Sequence, residues 1–536
     1  MNEAKPLIFL DYDSVQNPII EIQTQRSALK LIYDQAIYIG RYLKELGACK
    51  IIVEQNYFDR DYLEEYSAFY SKSTRGYGNT CRRVHFFQNE EVDHGLFSKA
   101  LCGDPDAIEA LKSSYLGFTI LRPIPEAQFG RTVLKWYEDK LTPPRIIEPA
   151  RMYRCNIANL VLEVEGIAWQ QQDTAIAACA TIGIWSMLHS SALSERHSIP
   201  TTTEITEAAN QTDTVGVSTF PSRGLSPLQI LQSIKQLGFS PTHVQGGLLD
   251  FHFTKSAFAS ISASFIRSGY PILLLGRYKT STTIGHAICA VGFRDAVVPS
   301  SLDHSKIYLQ DEYVDVIYAH DDNVGPNVRM EISSDTIEVR PGVPVDVCVL
   351  KMKAPDYIDL SDKMGPLDNK EFVPTGIVAA LNKDLRICPV RLMQDAIPTV
   401  GDILYSLNRV RNLNKLNALS LLHSTRFVQL TDYMSKDLET LLTNNQTLLG
   451  NVREKILQEL PPMSFHVAVL RIASASPSGN VLIDLLYDTT DSDRNRPVFG
   501  HIVYDQQVKF ALDNIVKTHY GNDGFELRYG KPIIAY

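Results

Sequence analysis

Residues 169–189 read WQQQDTAIAACATIGIWSMLH, and the fold turns on them. Three glutamines and an aspartate lead into an almost wholly apolar run that carries one cysteine, Cys179, near its front. A surface helix would show polar residues every third or fourth position. This run does not, which predicts a helix buried on all sides. A helix N-terminus carries partial positive charge and the thiolate is the nucleophilic form of cysteine, so a thiol near such an end suits chemistry. The plainer expectation is that a cysteine in an apolar helix is only a small hydrophobe. Two helix starts are open. Asp173 is a good N-cap and would put Cys179 in the second turn, whereas a start near Ala177 would bring it into the first.

Working outward, IANLVLEVEGIAW (157–169) alternates as a strand that leads into the glutamines. After His189 a polar stretch, 190–222, has room for one short helix and is long enough for a covering element over a site. GLSPLQILQSIKQLGF (224–239) predicts an amphipathic helix with Ser226 as N-cap, Pro227 first and Gly238 at its stop. KSAFASISASFIRSG (255–269) predicts another that ends at Gly269. PILLLGRY (271–278) and TIGHAICAVGF (283–293) read as buried strands, with His286 in a central one. KIYLQDEYVDVIYAHDDNVGPN (306–327) is strand material that stops at the turn signal HDDNVGP, and IEVRPGVPVDVCVLKM (337–352) closes the sheet.

Residues 1–150 read as an N-terminal α/β domain, with a helical pattern over 27–46 closed by Gly47 and strands at 49–58, 84–88 and 117–125. Within it, Glu54, Tyr57, Asp59, Arg60 and the His85 segment are candidates to line a cleft, although such clusters are more often hydrogen-bonded surface. A Pro-containing edge near 138–153 separates it from a central domain, 151–355. A connection at 354–372 precedes a C-terminal α/β domain, 370–536, with helices at 402–416 and 435–460 and paired strands around FHVAVLRIAS and NVLIDLLYDTT.

The totals narrow the function class. Hydrophobic content of 44% and charged content of 21% are those of a globular protein, and 536 residues exceed one ordinary core. A net charge of −9 gives no support to nucleic-acid or membrane-surface binding. Only Arg82-Arg83 and the RMYR at 151–154 are locally basic, and both read as ordinary surface. No secretion signal or membrane span is expected. The eight cysteines (49, 81, 102, 155, 179, 289, 348, 388) are scattered without a CxxC pair, which argues against a zinc site and a disulfide framework. The expectation is a cytoplasmic chain with no metal or cofactor.

Three parts then fall in an order that thiol hydrolases use. A glutamine precedes a cysteine helix, a strand histidine follows 107 residues after Cys179, and an acid at a strand end follows 35 residues after His286. In such enzymes the thiolate attacks a carbonyl and an imidazole moves the proton. A carboxylate or amide orients the imidazole, and a side-chain amide donates to the oxyanion.

On QQQDTAIAACATIGIWSML, GLSPLQILQSIKQLGF, the pairing GYPILLLGRY…GHAICAVGF and VIYAHDDNVGP, the chain resembles the papain-like cysteine peptidase superfamily. The likeness is to the branch of bacteriocin-processing peptidases that cut after double glycine, and their peptidase-like relatives, and covers about 200 residues. It implies an α+β fold, in which a papain-like domain with its buried cysteine helix against an antiparallel sheet is flanked by N- and C-terminal α/β domains. It implies Cys179 as nucleophile, His286 as base, Asp321 as orienting acid and Gln172 as oxyanion donor. Gln170 and Gln171 remain alternatives for the donor, and Asp322 and Asn323 for the third member. Ala180 follows the cysteine where the family usually has glycine, and Gln172 precedes it by seven positions where six is commoner.

The expected function is cleavage of a peptide or amide bond in a peptide, protein or small amide. Amidase or acyl-transfer chemistry on a small amide, and an inactive scaffold that keeps the fold, are the rivals. The sequence leaves the oligomeric state open.

Overall fold

The structure is a computed structural model, and it describes residues 6–12, 34–125, 127–173, 176, 178–193, 198–211, 224–280, 285–299, 302–303, 305–353, 370–461, 464–475, 479–490, 498–515 and 529–536. Helices and strands are mixed, and the several sheets pair mostly antiparallel, in keeping with an α+β chain. The chain divides into two compact units. The first takes Met1–Phe253, Tyr270–Phe293 and Val316–Ala380; the second takes Thr254–Gly269, Arg294–Asp315 and Leu381–Tyr536. The three segments read from sequence map onto these unevenly. Segment 1–150 lies wholly in the first unit, 151–355 contributes to both, and 370–380 belongs with the first.

The first unit opens with β1 (Leu7–Asp11), α1 (Asp34–Glu45), β2 (Lys50–Tyr57), α2 (Arg60–Ala68), β3 (Cys81–Phe87), α3 (His94–Leu101), α4 (Pro105–Ser113), β4 (Tyr115–Leu121) and β5 (Phe129–Leu134). The five strands pair antiparallel in chain order. Side chains of Asp59, Asp93 and Asp104 accept first-turn N–H groups and so fix where α2, α3 and α4 begin. Of the helical pattern over 27–46, residues 27–33 lie outside the described residues.

A short strand, β6 (Arg145–Ile146), leads to a hairpin of β7 (Arg151–Ile157) and β8 (Leu160–Gly166). Burial alternates strictly along β8, as the period-2 pattern of its sequence requires. Next come α5 (Cys179–Leu188), α6 (Thr202–Asn210) and α7 (Pro227–Gln236). Ser226 caps α7 in a reciprocal box with Gln229, Pro227 stands first, and Gly238 takes φ +90° just past its end. The second sheet uses β9 (Ser240–Gln245), β10 (Ile272–Tyr278), β11 (His286–Arg294), β13 (Val316–Asp321), β14 (Gly325–Arg340), β15 (Val343–Met352) and β16 (Glu371–Leu381), β12 (Ile307–Leu309) lying in the other unit. β16 pairs back onto β10, so six antiparallel strands close into a ring. Helix α5 packs on β10 closely enough that a Cβ on Gly183 would come 2.2 Å from Leu273 Cδ1.

The second unit holds α8 (Lys255–Arg267), α9 (Pro389–Leu413), β17 (Leu421–Gln429), α10 (Gln446–Glu459), β18 (His466–Ser474), β19 (Val481–Asp488), β20 (Val498–Val503), α11 (Gln506–Ile515) and β21 (Lys531–Ile534). Thr254 caps α8, and Gly269 with φ +79° follows its end. With β12 the strands form a six-stranded sheet in the order β12-β17-β18-β19-β20-β21, parallel at both edges. No helix among the described residues is long and apolar enough to cross a membrane.

Candidate active site

Cys179 is the first residue of α5. Residues 180–188 are all buried, and the cysteine alone is partly exposed. The helix therefore does not begin at Asp173; it starts just past the later of the two open starts, near Ala177. The reason is hydrogen bonding to β5: Trp169 exchanges backbone bonds with Thr132, and the Gln171 N–H reaches the Phe129 carbonyl. Backbone groups satisfied as a strand cannot also serve a helix. The Asp173 carboxylate instead accepts the Ile176 N–H at 2.7 Å. The N-cap of α5 is Ala178, whose side chain has no oxygen to occupy the first-turn N–H groups.

His286 opens β11, opposite Gly276 of β10. A Cβ on Gly276 would fall 2.2 Å from the Val373 carbonyl, so this glycine lets β10 stay paired with β16 beside the histidine. The imidazole stacks on Tyr278 (centroids 5.0 Å apart, planes at 25°) and meets Phe372 edge-on at 6.3 Å. The Cys179 side chain is near enough to favour its charged form. Its Nε2 faces Asp321 Oδ1 at 3.4 Å, Asp322 Oδ1 at 3.5 Å and Asn323 Nδ2 at 3.5 Å. These contacts are long for hydrogen bonds.

Asp321 is the most firmly held of the three. The Tyr278 hydroxyl donates to Oδ2 at 2.5 Å, the Asn323 N–H donates to Oδ1 at 2.9 Å, and the Trp169 indole donates to its carbonyl at 3.0 Å. The Gln35 amide on α1 donates to the Asp322 carbonyl at 3.2 Å. Asp322 Oδ2 is buried with no hydrogen-bond partner among the described residues.

The charges follow from this geometry. Burial pushes the Asp322 carboxyl up to about 7, with Asp321 adding to the rise and His286 opposing it. Burial also works against ionised Asp321, but His286, Tyr278 and Asn323 together bring it below the ordinary carboxylate range. Burial alone would lower His286; the Asp322 and Asp321 carboxylates outweigh it and hold the imidazole well above its usual value. Asp322→Asn is therefore expected to move the His286 titration to lower pH, read from its ring NMR shifts across a pH series. An unchanged midpoint would show that Asp322 does not support the imidazolium.

Of the three glutamines, only Gln172 reaches this cluster, its amide donating to Asn323 Oδ1 at 2.7 Å. Gln170 donates to Glu65 at 3.1 Å, and the Gln171 side chain accepts the Phe129 N–H at 3.3 Å. The structure thus gathers Cys179, His286, Asp321, Asp322, Asn323 and Gln172, and leaves Gln170 and Gln171 elsewhere. Tyr278, Gly276 and Trp169 were not singled out from the sequence. Tyr278 and Gly276 lie in the strand read as partner to the histidine strand, but naming them required the register. His286 Nε2 and one oxygen each from Asp321 and Asp322 also lie within 4.8 Å of one another, a spacing that can hold a cation. The chain matches no protein-family model, and no curated protein matches it significantly.

Proposed function

We propose that the chain is a thiol-dependent hydrolase of the papain-like kind that cleaves a peptide or amide bond. The observation that carries this is the placing of Cys179, at the uncapped start of α5, beside a His286 backed by buried carboxylates. In the reaction His286 takes the thiol proton, the sulfur attacks the carbonyl carbon, and the imidazolium then protonates the departing amine. Asp321 fixes the ring and favours its charged form. The oxyanion forms beside the free first-turn N–H groups of α5, and Gln172 is the side-chain amide placed to turn toward it from Asn323. Water finally releases the acyl group from the sulfur.

Iodoacetamide at neutral pH should alkylate Cys179, found by mass spectrometry of the tryptic peptide, and His286→Ala should abolish fast labelling while leaving the circular dichroism unchanged. A Cys179 that resists alkylation, or labels equally without His286, returns the chain to the scaffold reading. The approach of His286, Asp321 and Asp322 favours one second reading, a hydrolase built on a divalent cation. Hydrolysis abolished by EDTA and restored by added metal in a Cys179→Ala variant would establish that reading. Hydrolysis that ignores EDTA and stops with Cys179→Ala supports the thiol.

A further inference from the structure

The two locally basic spots of the sequence, Arg82-Arg83 and the RMYR at 151–154, meet in the first unit. Arg83 on β3, Arg131 on β5 and Arg154 on β7 line one open cavity of about 400 Å³ between the five-stranded sheet and the β7–β8 hairpin. Tyr57, Phe118 and Tyr153 supply aromatic walls, and among the described residues no acidic side chain lines it. This volume is that of a small-molecule site.

The acids that balance these arginines hold them without lining the space. Glu54 pairs with Arg83 Nε, and Asp59 with Arg131 at 2.8 Å. Arg83 also donates to Tyr57 OH at 3.2 Å and lies over the Tyr57 ring at 4.3 Å, so its guanidinium is fixed in orientation. Arg131 Nε is buried and has no hydrogen-bond partner among the described residues. Arg154 uses Nε on Glu163 at 2.9 Å and is otherwise exposed at the rim. A buried guanidinium N–H without an acceptor is costly, and a carboxylate or phosphate is the group that guanidinium forks recognise. Of the residues expected from sequence to line a cleft, Tyr57 does so and Glu54 and Asp59 stand behind. Arg60 bonds to Asp61 and to the Ile199 carbonyl instead, and His85 is buried between Glu54 and Tyr115.

We propose that this cavity binds a small organic anion, a carboxylate or phosphate head on a planar body, with Arg131 and Arg154 meeting the head and the tyrosines flanking the body. The site shares no residue with the Cys179–His286 cluster and does not depend on its chemistry.

The test is isothermal titration of the full chain at low salt with three probes: adenosine 5′-monophosphate (phosphate head), hippurate (carboxylate head) and uncharged adenosine. At least one anion should bind, roughly tenfold or more tighter than adenosine, and the tighter of the two identifies the head group. Arg154→Ala, at an exposed position, should weaken that binding roughly tenfold, and Arg131→Lys, which keeps the charge on Asp59, should weaken it as well by removing the planar fork. Neither anion binding below about 10 mM, a range that marks the weak end of specific recognition, or binding that is indifferent to both variants, would overturn the proposal.

Discussion

If the chain is the thiol hydrolase proposed above, Asp321→Asn should slow its hydrolysis by roughly 10²–10⁴-fold, the range that positioned proton transfer contributes. The side chain keeps its shape and its oxygen for the Asn323 N–H, but the charge beside His286 Nε2 is gone. Burial, which already works against the imidazolium, then has only Asp322 and the weaker Cys179 contribution to oppose it. The ring should therefore lose its proton at lower pH than in the parent chain. The measurement is kcat/KM against pH on a fluorogenic amide substrate, with circular dichroism as the check on folding. A variant that keeps the parent rate would remove Asp321 from the mechanism and leave Asp322 or Asn323 as the orienting group.

Arg122→Ala should destabilise the fold by about 3–5 kcal/mol, the usual consequence of removing one partner from a buried ion pair. Arg122 and both its acids are almost fully buried: NH1 lies 2.8 Å from Glu65 Oε2 and 3.7 Å from Asp173 Oδ2, and NH2 donates to the Gln171 carbonyl at 3.0 Å. Glu65 further accepts from Thr202 at 2.7 Å and from Gln170 at 3.1 Å, so the network ties α2, α6 and the approach to Cys179 together. Burial pushes Glu65 up to about 7 even with the arginine present. A raised carboxyl pKa means that the folded state binds more protons than the unfolded one between about 4.3 and 7, so this group favours folding as pH falls. Without the guanidinium the effect is larger. The stability gap between variant and parent should accordingly be widest above pH 7 and narrow toward pH 5, as measured by urea unfolding at several pH values. A gap independent of pH would mean that the loss is one of packing and not of charge.

Much of the candidate site was legible before the fold was known. His286 in an apolar strand is costly without partners, and the structure supplies them in Cys179, Asp321 and Asp322. Ser226, Pro227 and Gly238 bound α7 through interactions spanning only a few residues, which is why local reading captured them. Gln170, Gln171 and Gln172 could not be told apart in this way. Their side chains settle on Glu65, Phe129 and Asn323, partners between 42 and 151 positions away. The arginine cavity escaped for the same reason, since Arg83 and Arg154 read as separate surface spots until the β7–β8 hairpin crosses the sheet.

The sequence by itself determined that 169–189 is a buried, cysteine-bearing run followed by a histidine strand and an acidic turn, because periodicity and turn chemistry act over a few residues. Only the tertiary structure decided where the cysteine helix begins. Trp169 and Gln171 spend their backbone hydrogen bonds on β5, which keeps those residues out of the helix, and the helix begins at Cys179 itself.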